Sequence, residues 1–388
     1  MYCSVVNPVD CGGYVKRLQI PVCEPTLAGR ELQYVTNCIK TNWISSKGDY
    51  LVKFEEKFSR FCNANHGIAT SSGTTALHLA MIALGIGKND EVIMPTLTMI
   101  ASANPVIFAG ATPVFVDSEP YTWNIDVKAI EEKISDRTKA IMPVHIYGHP
   151  VDMDPLLKLA KKFSLFVVED AAEAHGAEYK GNTVGCLGDI GCFSFYTNKI
   201  ITTGEGGMAI TNNEETAEKL ELYRDLAHSK EKRYLHYQIG YNYRMTNLQA
   251  AVGLAQMEKI EEYIDARRRN AKLYNSLLKD VKGITPPSEA DWAKSIYWLY
   301  SILIEEDFGA GRDELVNELA KRGIETRPFF IPMHKQPVFK EMGLTGGDFP
   351  IADELCAKGI CLPSSSSLEE KQIKYVCDAI KEIQKAAK

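Results

Sequence analysis

The sequence lacks several features that would place a protein in a membrane, an oxidising compartment or a zinc-binding class. No segment approaches the roughly 18 consecutive apolar residues that a membrane-spanning helix needs. The ten cysteines are scattered and form no Cys-x-x-Cys pair, so neither a zinc ribbon nor a disulfide framework is expected. Residues 1–20 contain Asp10 and Lys16 and no continuous apolar stretch, unlike a secretory signal. We therefore expect a cytoplasmic protein with free thiols, no metal site and no membrane partner.

Positive charge is also in short supply. The 44 Lys and Arg residues are outnumbered by 50 Asp and Glu residues, for a net charge of −6. A general nucleic-acid surface depends on basic side chains that neutralise phosphates, so no nucleic-acid partner is expected. A local basic pocket for a phosphorylated small molecule remains compatible with this balance. The length of 388 residues and the hydrophobic share of 45% allow one large or two ordinary domains with ample core.

Strand-like and helix-like segments alternate through the first half of the chain. Short apolar runs predict strands at 91–94, 112–117, 140–146, 165–170, 192–196 and 208–211. Helical periods predict helices at 74–84, 100–108, 127–134 and 155–163. Such alternation predicts an α/β fold with a mostly parallel sheet covered on both faces. Ligands of these sheets gather at the carboxyl ends of the strands.

The pattern changes after a long helical stretch predicted at 248–278. A strand at 298–304, a helix at 312–322 and a terminal amphipathic helix at 368–387 follow it. We therefore predict a large α/β domain over residues 1–264, with an N-terminal arm, and a smaller C-terminal α+β domain over residues 265–388.

Two residues near predicted strand ends, Asp170 and Lys199, indicate a catalytic site. Asp170 ends an apolar run, and Lys199 lies on a polar loop just before the glycine-rich segment 202–207. This is the arrangement that pyridoxal phosphate (PLP) requires, because a lysine amine holds its aldehyde as a Schiff base and an aspartate keeps its pyridine nitrogen protonated. Taken alone, a loop lysine is most often solvated, and an aspartate after a strand often caps a helix.

A phosphate site is predicted at the start of the first helix. Gly73, Thr74 and Thr75 follow two serines there, and a helix N-terminus offers free N–H groups and a favourable dipole. The alternative is an ordinary Ser/Thr cap. Ser194, five residues before Lys199, could add a second hydroxyl to the same phosphate.

Together these motifs resemble the sugar aminotransferases of the DegT/DnrJ/EryC1/StrS family, a branch of the fold-type I PLP enzymes. The resemblance runs from about residue 20 to 368. It is carried by NWISSKG at 42–48, SSGTTALHL at 71–79, PTLT at 95–98, VHIYGH at 144–149, EDAAEAHGA at 169–177, the segment 193–207 and GYNYRM at 240–245. Within the family, the amino-acid sequence at 169–177 and 196–207 is most similar to that of GDP-perosamine synthases.

The resemblance implies a role for each cofactor-site residue. Lys199 would be the Schiff-base lysine and proton shuttle, Asp170 the partner of the pyridine nitrogen, and Glu173 a neighbour of the ring hydroxyl. The phosphate would be held by Gly73, Thr74, Thr75 and Ser194. Asn242 would reach the phosphate of the neighbouring subunit's cofactor, which implies a homodimer with shared active sites; the alternative is that it caps the following helix. Met99 stands where the family often has an aromatic residue on the ring, the alternative being helix core.

The resemblance also implies a substrate region formed by Trp43, Ser45, Lys47, Arg327 and His334. Arg327 could bind either a diphosphate or the carboxylate of the amino donor, because its planar fork suits both. His149 and His175 are expected to be structural, although His175, close to Asp170 in sequence, could line the cofactor site.

The implied reaction moves the amino group of L-glutamate to C4 of a nucleotide-linked 4-keto-6-deoxy sugar, with pyridoxamine phosphate as the intermediate cofactor form. GDP-4-keto-6-deoxymannose, giving GDP-perosamine, is the first expectation, and UDP-4-keto-6-deoxyglucose is the alternative. A dehydratase of the same fold would carry histidine in place of Lys199. A non-catalytic sensor or scaffold would be expected to lose Lys199, Asp170 or the phosphate site.

Overall fold

The computed structural model describes residues 19–232 and 234–387. The predicted N-terminal arm and the expected absence of a secretory signal concern residues 1–18, which lie outside these ranges. A seven-stranded sheet forms the centre of the first half. Its strands are β1 (His66–Thr70), β2 (Glu91–Pro95), β3 (Thr112–Val116), β4 (Thr138–Ile141), β5 (Phe166–Asp170), β8 (Ile190–Ser194) and β9 (Gly207–Thr211), with β6 (Glu178–Tyr179) and β7 (Asn182–Thr183) outside it.

The central sheet is mostly parallel, which confirms the prediction. Its strand order is β1-β9-β8-β5-β4-β2-β3. The pairs β8–β5, β5–β4, β4–β2 and β2–β3 are parallel, whereas β9 runs antiparallel to both of its neighbours. Every residue of β2 and β9 is buried, so both faces of the sheet are covered. The carboxyl ends of β5 and β8 therefore lie side by side at one edge.

Eight helices belong to this half or connect it to the next. They are α1 (Glu31–Thr41), α2 (Asp49–Phe61), α3 (Gly73–Ala83), α4 (Ile100–Phe108), α5 (Met153–Phe163), α6 (Glu214–Arg224), α7 (Asn247–Met257) and α8 (Ile260–Leu278). Helix α3 packs on β8 and β9, while α1 and α2 pack on α7. No helix among the described residues is both long and apolar enough to cross a membrane.

The C-terminal part builds a second, smaller layer. Strands β10 (Ile284–Thr285), β12 (Ser301–Ile304), β13 (Arg327–Pro328) and β14 (Gly359–Cys361) form an antiparallel sheet, and β11 (Ala293–Lys294) pairs with β6. The helices of this part are α9 (Arg312–Lys321), α10 (Pro337–Glu341), α11 (Pro350–Lys358) and α12 (Glu370–Ala386).

Helix α8 contributes to two separate hydrophobic cores. Ile260 and Ile264, near its start, belong to the core around the central sheet. Tyr274 and Leu278, near its end, belong to the core of the smaller layer. The predicted domain boundary at 264/265 falls inside this helix and stays a prediction.

Three sequence-based assignments of secondary structure are wrong. The predicted helix 248–278 is two helices, because Lys259 leaves the helical conformation. Arg30, the N-cap of α1, and Tyr34 within α1 bind Glu258 at the break. The predicted helix 127–134 is two short 3-10 turns. The predicted strand 140–146 ends at Ile141. Strand β1 was missed.

Candidate active site

Lys199 is a buried lysine at the carboxyl edge of the central sheet, five residues after β8. Its side-chain Nζ lies 3.8 Å from Glu173 Oε1 and 3.7 Å from the centroid of the Trp298 ring. Burial lowers the pKa of Lys199, the carboxylates of Glu173 and Asp170 raise it, and the guanidinium of Arg327 lowers it. Burial is the largest of these effects, so the neutral amine is more accessible than in a solvated lysine. The solvated-surface alternative is wrong.

Asp170 is the last residue of β5 and is also buried. Its Oδ2 accepts a hydrogen bond from Ser102 Oγ at 2.6 Å, and its Oδ1 accepts one from the Ala172 amide at 3.1 Å. Burial raises the pKa of Asp170, whereas the hydrogen bond from Ser102 lowers it. Residues 171–177 contain no α-helix, so the alternative in which Asp170 caps a helix is wrong.

Glu173 completes a buried group of charges around the lysine. Its Oε2 accepts a hydrogen bond from the Tyr147 amide at 2.8 Å. Burial raises the pKa of Glu173 to about 7, opposed by Lys199 and by the Tyr147 amide. Tyr147 has a left-handed backbone, with φ of 51°, an unusual conformation for a residue with a side chain. Because its pKa is raised to about 7, the carboxyl group of Glu173 can gain or lose a proton near neutral pH.

The start of α3 forms a narrow pocket against β8. A Cβ added at Gly73 would lie 2.8 Å from the Cβ of Ser194, so the helix terminus and Ser194 abut only because residue 73 is glycine. Ser72 and Thr75 make a capping box, in which Thr75 Oγ1 accepts from the Ser72 amide at 3.0 Å. The ordinary-cap alternative thus holds for these two hydroxyls. The amides of Gly73 and Thr74, in contrast, have no hydrogen-bond acceptor among the described residues.

Arg327 is a half-buried cation that faces the same group. It is close enough to lower the pKa of both Lys199 and Glu173. Within residues 19–232 and 234–387 it makes no ion pair with a carboxylate, so its guanidinium is available to a bound anion.

His334 differs from Arg327 because both of its ring nitrogens are engaged by the protein. Nδ1 lies 2.8 Å from Thr96 Oγ1 and Nε2 lies 2.9 Å from Asp353 Oδ1. Its ring also stacks on Phe349, with centroids 4.5 Å apart. These contacts fix the loop after β13 and leave no free ring nitrogen for a sugar; a substrate role for His334 stays a prediction.

Comparison with known proteins identifies the family of this chain. The model of the DegT/DnrJ/EryC1/StrS aminotransferase family matches residues 25–381. This chain belongs to that family. Like other DegT/DnrJ/EryC1/StrS aminotransferases it is a PLP-dependent enzyme of fold type I, which confirms the resemblance, the fold class and the cofactor inferred from the sequence.

Named relatives match this family member over nearly their whole length. A GDP-perosamine synthase of Caulobacter vibrioides is 46% identical over 366 residues, covering 94% of this chain and 98% of the relative. A GDP-perosamine synthase of Escherichia coli O157:H7 is 47% identical over 363 residues, with the same coverage of 94% and 98%. Among solved structures, the PLP-form of the Streptococcus pneumoniae protein Spr1654 superimposes with a TM-score of 0.90 at 27% identity, covering 96% of this chain and 100% of that one.

The residues present fit the cofactor of the family. PLP needs groups for its aldehyde, ring nitrogen and phosphate, and three such groups are present: a buried amine, a buried carboxylate at a strand end, and the Gly73 and Thr74 amides, which have no acceptor among the described residues. No group of three or more side chains suited to a metal ion occurs in the described part of the chain.

The remaining predicted site residues lie on exposed surfaces of the single chain. Asn242 is exposed, and Thr246, not Asn242, caps α7, so the capping alternative is wrong. Met99 is 51% exposed at the N-cap of α4, so the helix-core alternative is wrong as well.

The loop with Trp43, Ser45 and Lys47 is exposed. Among the described residues, no hydrogen bond or ion pair joins this loop to Lys199, and its substrate role stays a prediction.

The two uncertain histidines are both buried. His149 Nδ1 bonds the Pro150 carbonyl at 2.7 Å and its Nε2 accepts from the Ala290 amide at 3.1 Å, and burial lowers the pKa of His149 to about 4. His175 packs among phenylalanine rings, and neither ring nitrogen has a hydrogen-bond partner among the described residues. Burial and the charge of Lys199 lower the pKa of His175 to about 3. Both histidines are buried, and a place for His175 at the cofactor site stays a prediction.

Sequence reasoning missed three residues that shape the site: Ser102, Tyr147 and Trp298. Ser102 stands four residues after Thr98, a spacing that places two hydroxyls near each other at the start of a helix. Tyr147 lies within a motif already quoted. Trp298 lies 99 residues beyond Lys199 in the chain, and no local pattern connects the two.

Proposed function

We propose that this enzyme transfers the amino group of L-glutamate to C4 of GDP-4-keto-6-deoxymannose and so forms GDP-perosamine. The observation that carries the proposal is a buried Lys199 amine, grouped with two carboxylates and with Arg327, which has no carboxylate partner in the described part of the chain. The chain matches GDP-perosamine synthases over 98% of their length. UDP-4-keto-6-deoxyglucose would need the same chemistry at C4, and only an assay separates the two sugars.

The family resemblance suggests the roles of the cofactor-site residues, and their positions are compatible with these roles. Lys199 would bind the PLP aldehyde, Asp170 would pair with the ring nitrogen, and Glu173 would lie beside the ring hydroxyl. The amides of Gly73 and Thr74, with the Ser194 hydroxyl, would hold the phosphate. Thr75 would support this site through its capping box with Ser72, which engages both its amide and its hydroxyl. Bound PLP would supply an electron sink for the electrons of a broken C–H bond.

Lys199 would carry the proton in both halves of the reaction. Once the donor amine has displaced Lys199 from the PLP aldehyde, Nζ would be a free amine. Because burial lowers the pKa of Lys199, Nζ could then accept a proton from the Cα of the amino donor and deliver it to the cofactor carbon. In the second half Nζ would take a proton from that carbon and deliver it to C4 of the sugar. Arg327 would hold an anion within reach of this amine, either the donor carboxylate or the sugar diphosphate.

We also propose that the enzyme is a homodimer whose active sites are shared. Support comes from the exposure of Asn242, Met99 and Trp43 in the single chain, since residues expected at the cofactor would be covered by a second subunit. A cytoplasmic location is proposed as well. All eight cysteines of the described residues are free thiols, which suits a reducing compartment.

The test is an amine-transfer assay on the purified holoenzyme. L-glutamate is supplied with GDP-4-keto-6-deoxymannose in one reaction and UDP-4-keto-6-deoxyglucose in another, and products are identified by mass and NMR. We expect a C4 amine on the GDP sugar and formation of 2-oxoglutarate. Amination of the UDP sugar alone would overturn the substrate assignment, and absence of 2-oxoglutarate in both reactions would overturn the aminotransferase assignment.

A further inference from the structure

We propose that Ser102 is a positioning residue for Asp170, and that Thr98 and Ser102 form a relay of two hydroxyl groups that keeps the Asp170 carboxylate ionised and correctly turned toward the ring nitrogen of the cofactor. The inference rests on the proposed role of Asp170, but it does not depend on which sugar is aminated.

The relay is a chain of two short hydrogen bonds in a buried place. Thr98 Oγ1 lies 2.9 Å from Ser102 Oγ, and Ser102 Oγ lies 2.6 Å from Asp170 Oδ2. Thr98, Ser102 and Asp170 are only 2%, 2% and 4% exposed. Solvent water is therefore a poor substitute for either bond, and loss of one hydroxyl would leave its neighbour without a donor.

The direction of the relay follows from the chemistry of its members. An ionised carboxylate can only accept hydrogen bonds, so the Ser102 hydroxyl donates its single proton to Asp170. Ser102 Oγ can then only accept from Thr98, whose hydroxyl must be the donor. Each bond polarises the next, which strengthens the final bond to the carboxylate.

The local fold explains how the two hydroxyls come together. Met99 is the N-cap of α4, so Ser102 is the third residue of its first turn and Thr98 immediately precedes the cap. The Ser102 amide donates to the Met99 carbonyl at 3.0 Å, which fixes the turn. The Asp170 carboxylate thus meets the positive end of the α4 dipole as well as the Ser102 hydroxyl, and both favour the anion.

Asp170 needs this support because its surroundings favour the neutral acid. Burial raises the pKa of Asp170; the Ser102 hydroxyl, the Ala172 amide, Lys199 and His145 all lower it. Among these opposing groups Ser102 has the largest effect, and a bond of 2.6 Å is typical of a hydroxyl that donates to an anion. A protonated Asp170 could not hold the proton on the ring nitrogen.

The alternative is that Ser102 merely packs at the start of α4. The experiment separates the two by measuring the ring nitrogen itself. Holoenzyme is prepared with 15N-labelled PLP as wild type, Ser102→Ala, Ser102→Thr and Thr98→Val, with Asp170→Asn as the reference for a lost carboxylate. The readouts are the 15N chemical shift of the pyridine nitrogen, the PLP dissociation constant and the single-turnover rate with L-glutamate. Thermal unfolding of each variant checks the fold.

We expect Ser102→Ala to shift the 15N signal toward the deprotonated value and to slow the glutamate half-reaction about 10- to 100-fold, the usual effect of a lost hydrogen bond to a charged group. Thr98→Val should move both readouts in the same direction by less. Ser102→Thr keeps the hydroxyl and should stay near wild type.

Two results would overturn the relay. One is a Ser102→Ala enzyme with an unchanged 15N shift, whatever its rate, because a packing defect alone would slow the enzyme without changing the ring nitrogen. The other is a Ser102→Thr enzyme as impaired as Ser102→Ala at wild-type thermal stability. A wild-type chain that binds PLP and accepts the amine from glutamate but fails to aminate the GDP sugar would contradict only the proposed function.

Discussion

At the scale of the residue, the charge of the Lys199 amine is set by opposing neighbours. Burial disfavours the ammonium, whereas Glu173 and Asp170 favour it. The face of the Trp298 ring, 3.7 Å from Nζ, also attracts a cation, by about 0.5–2 kcal/mol in typical cases. Trp298 is itself fixed, because its Nε1 donates to the Asn198 carbonyl at 2.7 Å. Trp298 therefore contacts both the Asn198 carbonyl, just before the lysine, and the Nζ amine of Lys199 itself.

Replacement of Lys199 by alanine should abolish both turnover and the visible absorbance of lysine-bound PLP, since no other side chain supplies the amine. Residual activity should fall below about a hundredth of wild type. The matched control is Lys180→Ala, which removes an exposed lysine paired with Asp154 and should leave rate and spectrum unchanged. A Lys199→Ala enzyme above that level would contradict the assignment.

Glu173 should make the stability of the apoprotein depend on pH. Its pKa is raised to about 7 from 4.5, so between these values the folded protein holds a proton that the unfolded chain releases. Its contribution to stability is therefore present at low pH and lost as the pH rises toward about 7. Denaturant unfolding at pH 5, 6, 7 and 8 should show this loss in wild type.

The Glu173→Gln variant cannot release the proton and should lack this part of the pH dependence. Glu178→Gln is the control, since Glu178 is in an ion pair with Lys294 at the surface, outside the lysine pocket. Parallel wild-type and Glu173→Gln stability curves would show that Glu173 does not titrate in this range.

At the scale of the element, the fit between α3 and β8 should control cofactor affinity. In Gly73→Ala the new methyl carbon would lie 2.8 Å from Ser194 Cβ, so the helix terminus must move away from the phosphate position. We expect PLP binding to weaken about 10-fold or more, as for a lost hydrogen bond to a charged group, measured by equilibrium dialysis. Gly87→Ala, whose new carbon would make an ordinary contact at 3.6 Å, should bind PLP like wild type.

The positions of most central strands, though not all of their ends, could be predicted from the sequence. Asp170 ends a short apolar run whose length predicts a strand, and β8 and β9 were recognised for the same reason. Strand β1 was missed because His66 and Gly67 dilute its apolar pattern. Segment 127–134 has a helical pattern but forms two short 3-10 turns.

Contacts distant in sequence account for what could not be predicted at the site. The bond from Ser102 to Asp170 joins residues 68 positions apart, and it depends on how α4 enters beside β5. The packing of Trp298 on Lys199 depends on how the C-terminal part meets the sheet. Burial, which changes the pKa of Lys199, Asp170 and Glu173, is likewise a property of the folded chain and not of any motif.

At the scale of the whole molecule, the shared-site dimer has a direct genetic test. Mixed Lys199→Ala and Asn242→Ala subunits should recover activity, because a two-fold interface would give each heterodimer one fully wild-type site. Asn242→Ala alone should weaken PLP binding by about 1–3 kcal/mol, the effect of a lost hydrogen bond to a charged group. Asn212→Ala, at a different exposed position, is the control.

A monomer at working concentration in sedimentation measurements would contradict the dimer. Full PLP affinity in Asn242→Ala would contradict the placement of this residue at the neighbouring cofactor.

Helix α8 should couple the unfolding of the two halves of the molecule, because its two ends pack in different hydrophobic cores. Because one continuous helix packs in both cores, loss of its packing at one end should disturb the other, so the two halves of the molecule should unfold together. Urea unfolding is followed by tryptophan fluorescence, to which the buried Trp123 and Trp298 and the partly buried Trp292 of the first core contribute, with Trp43 exposed. This transition should coincide with the loss of hydrogen-exchange protection in α12. Arg269→Pro lies at an exposed position between the two ends. It should break α8 and separate the two unfolding transitions, because proline in a helix interior destabilises the helix by about 3 kcal/mol. Arg269→Ala should leave them superimposed, and transitions already separate in wild type would mean that the helix does not couple the two halves.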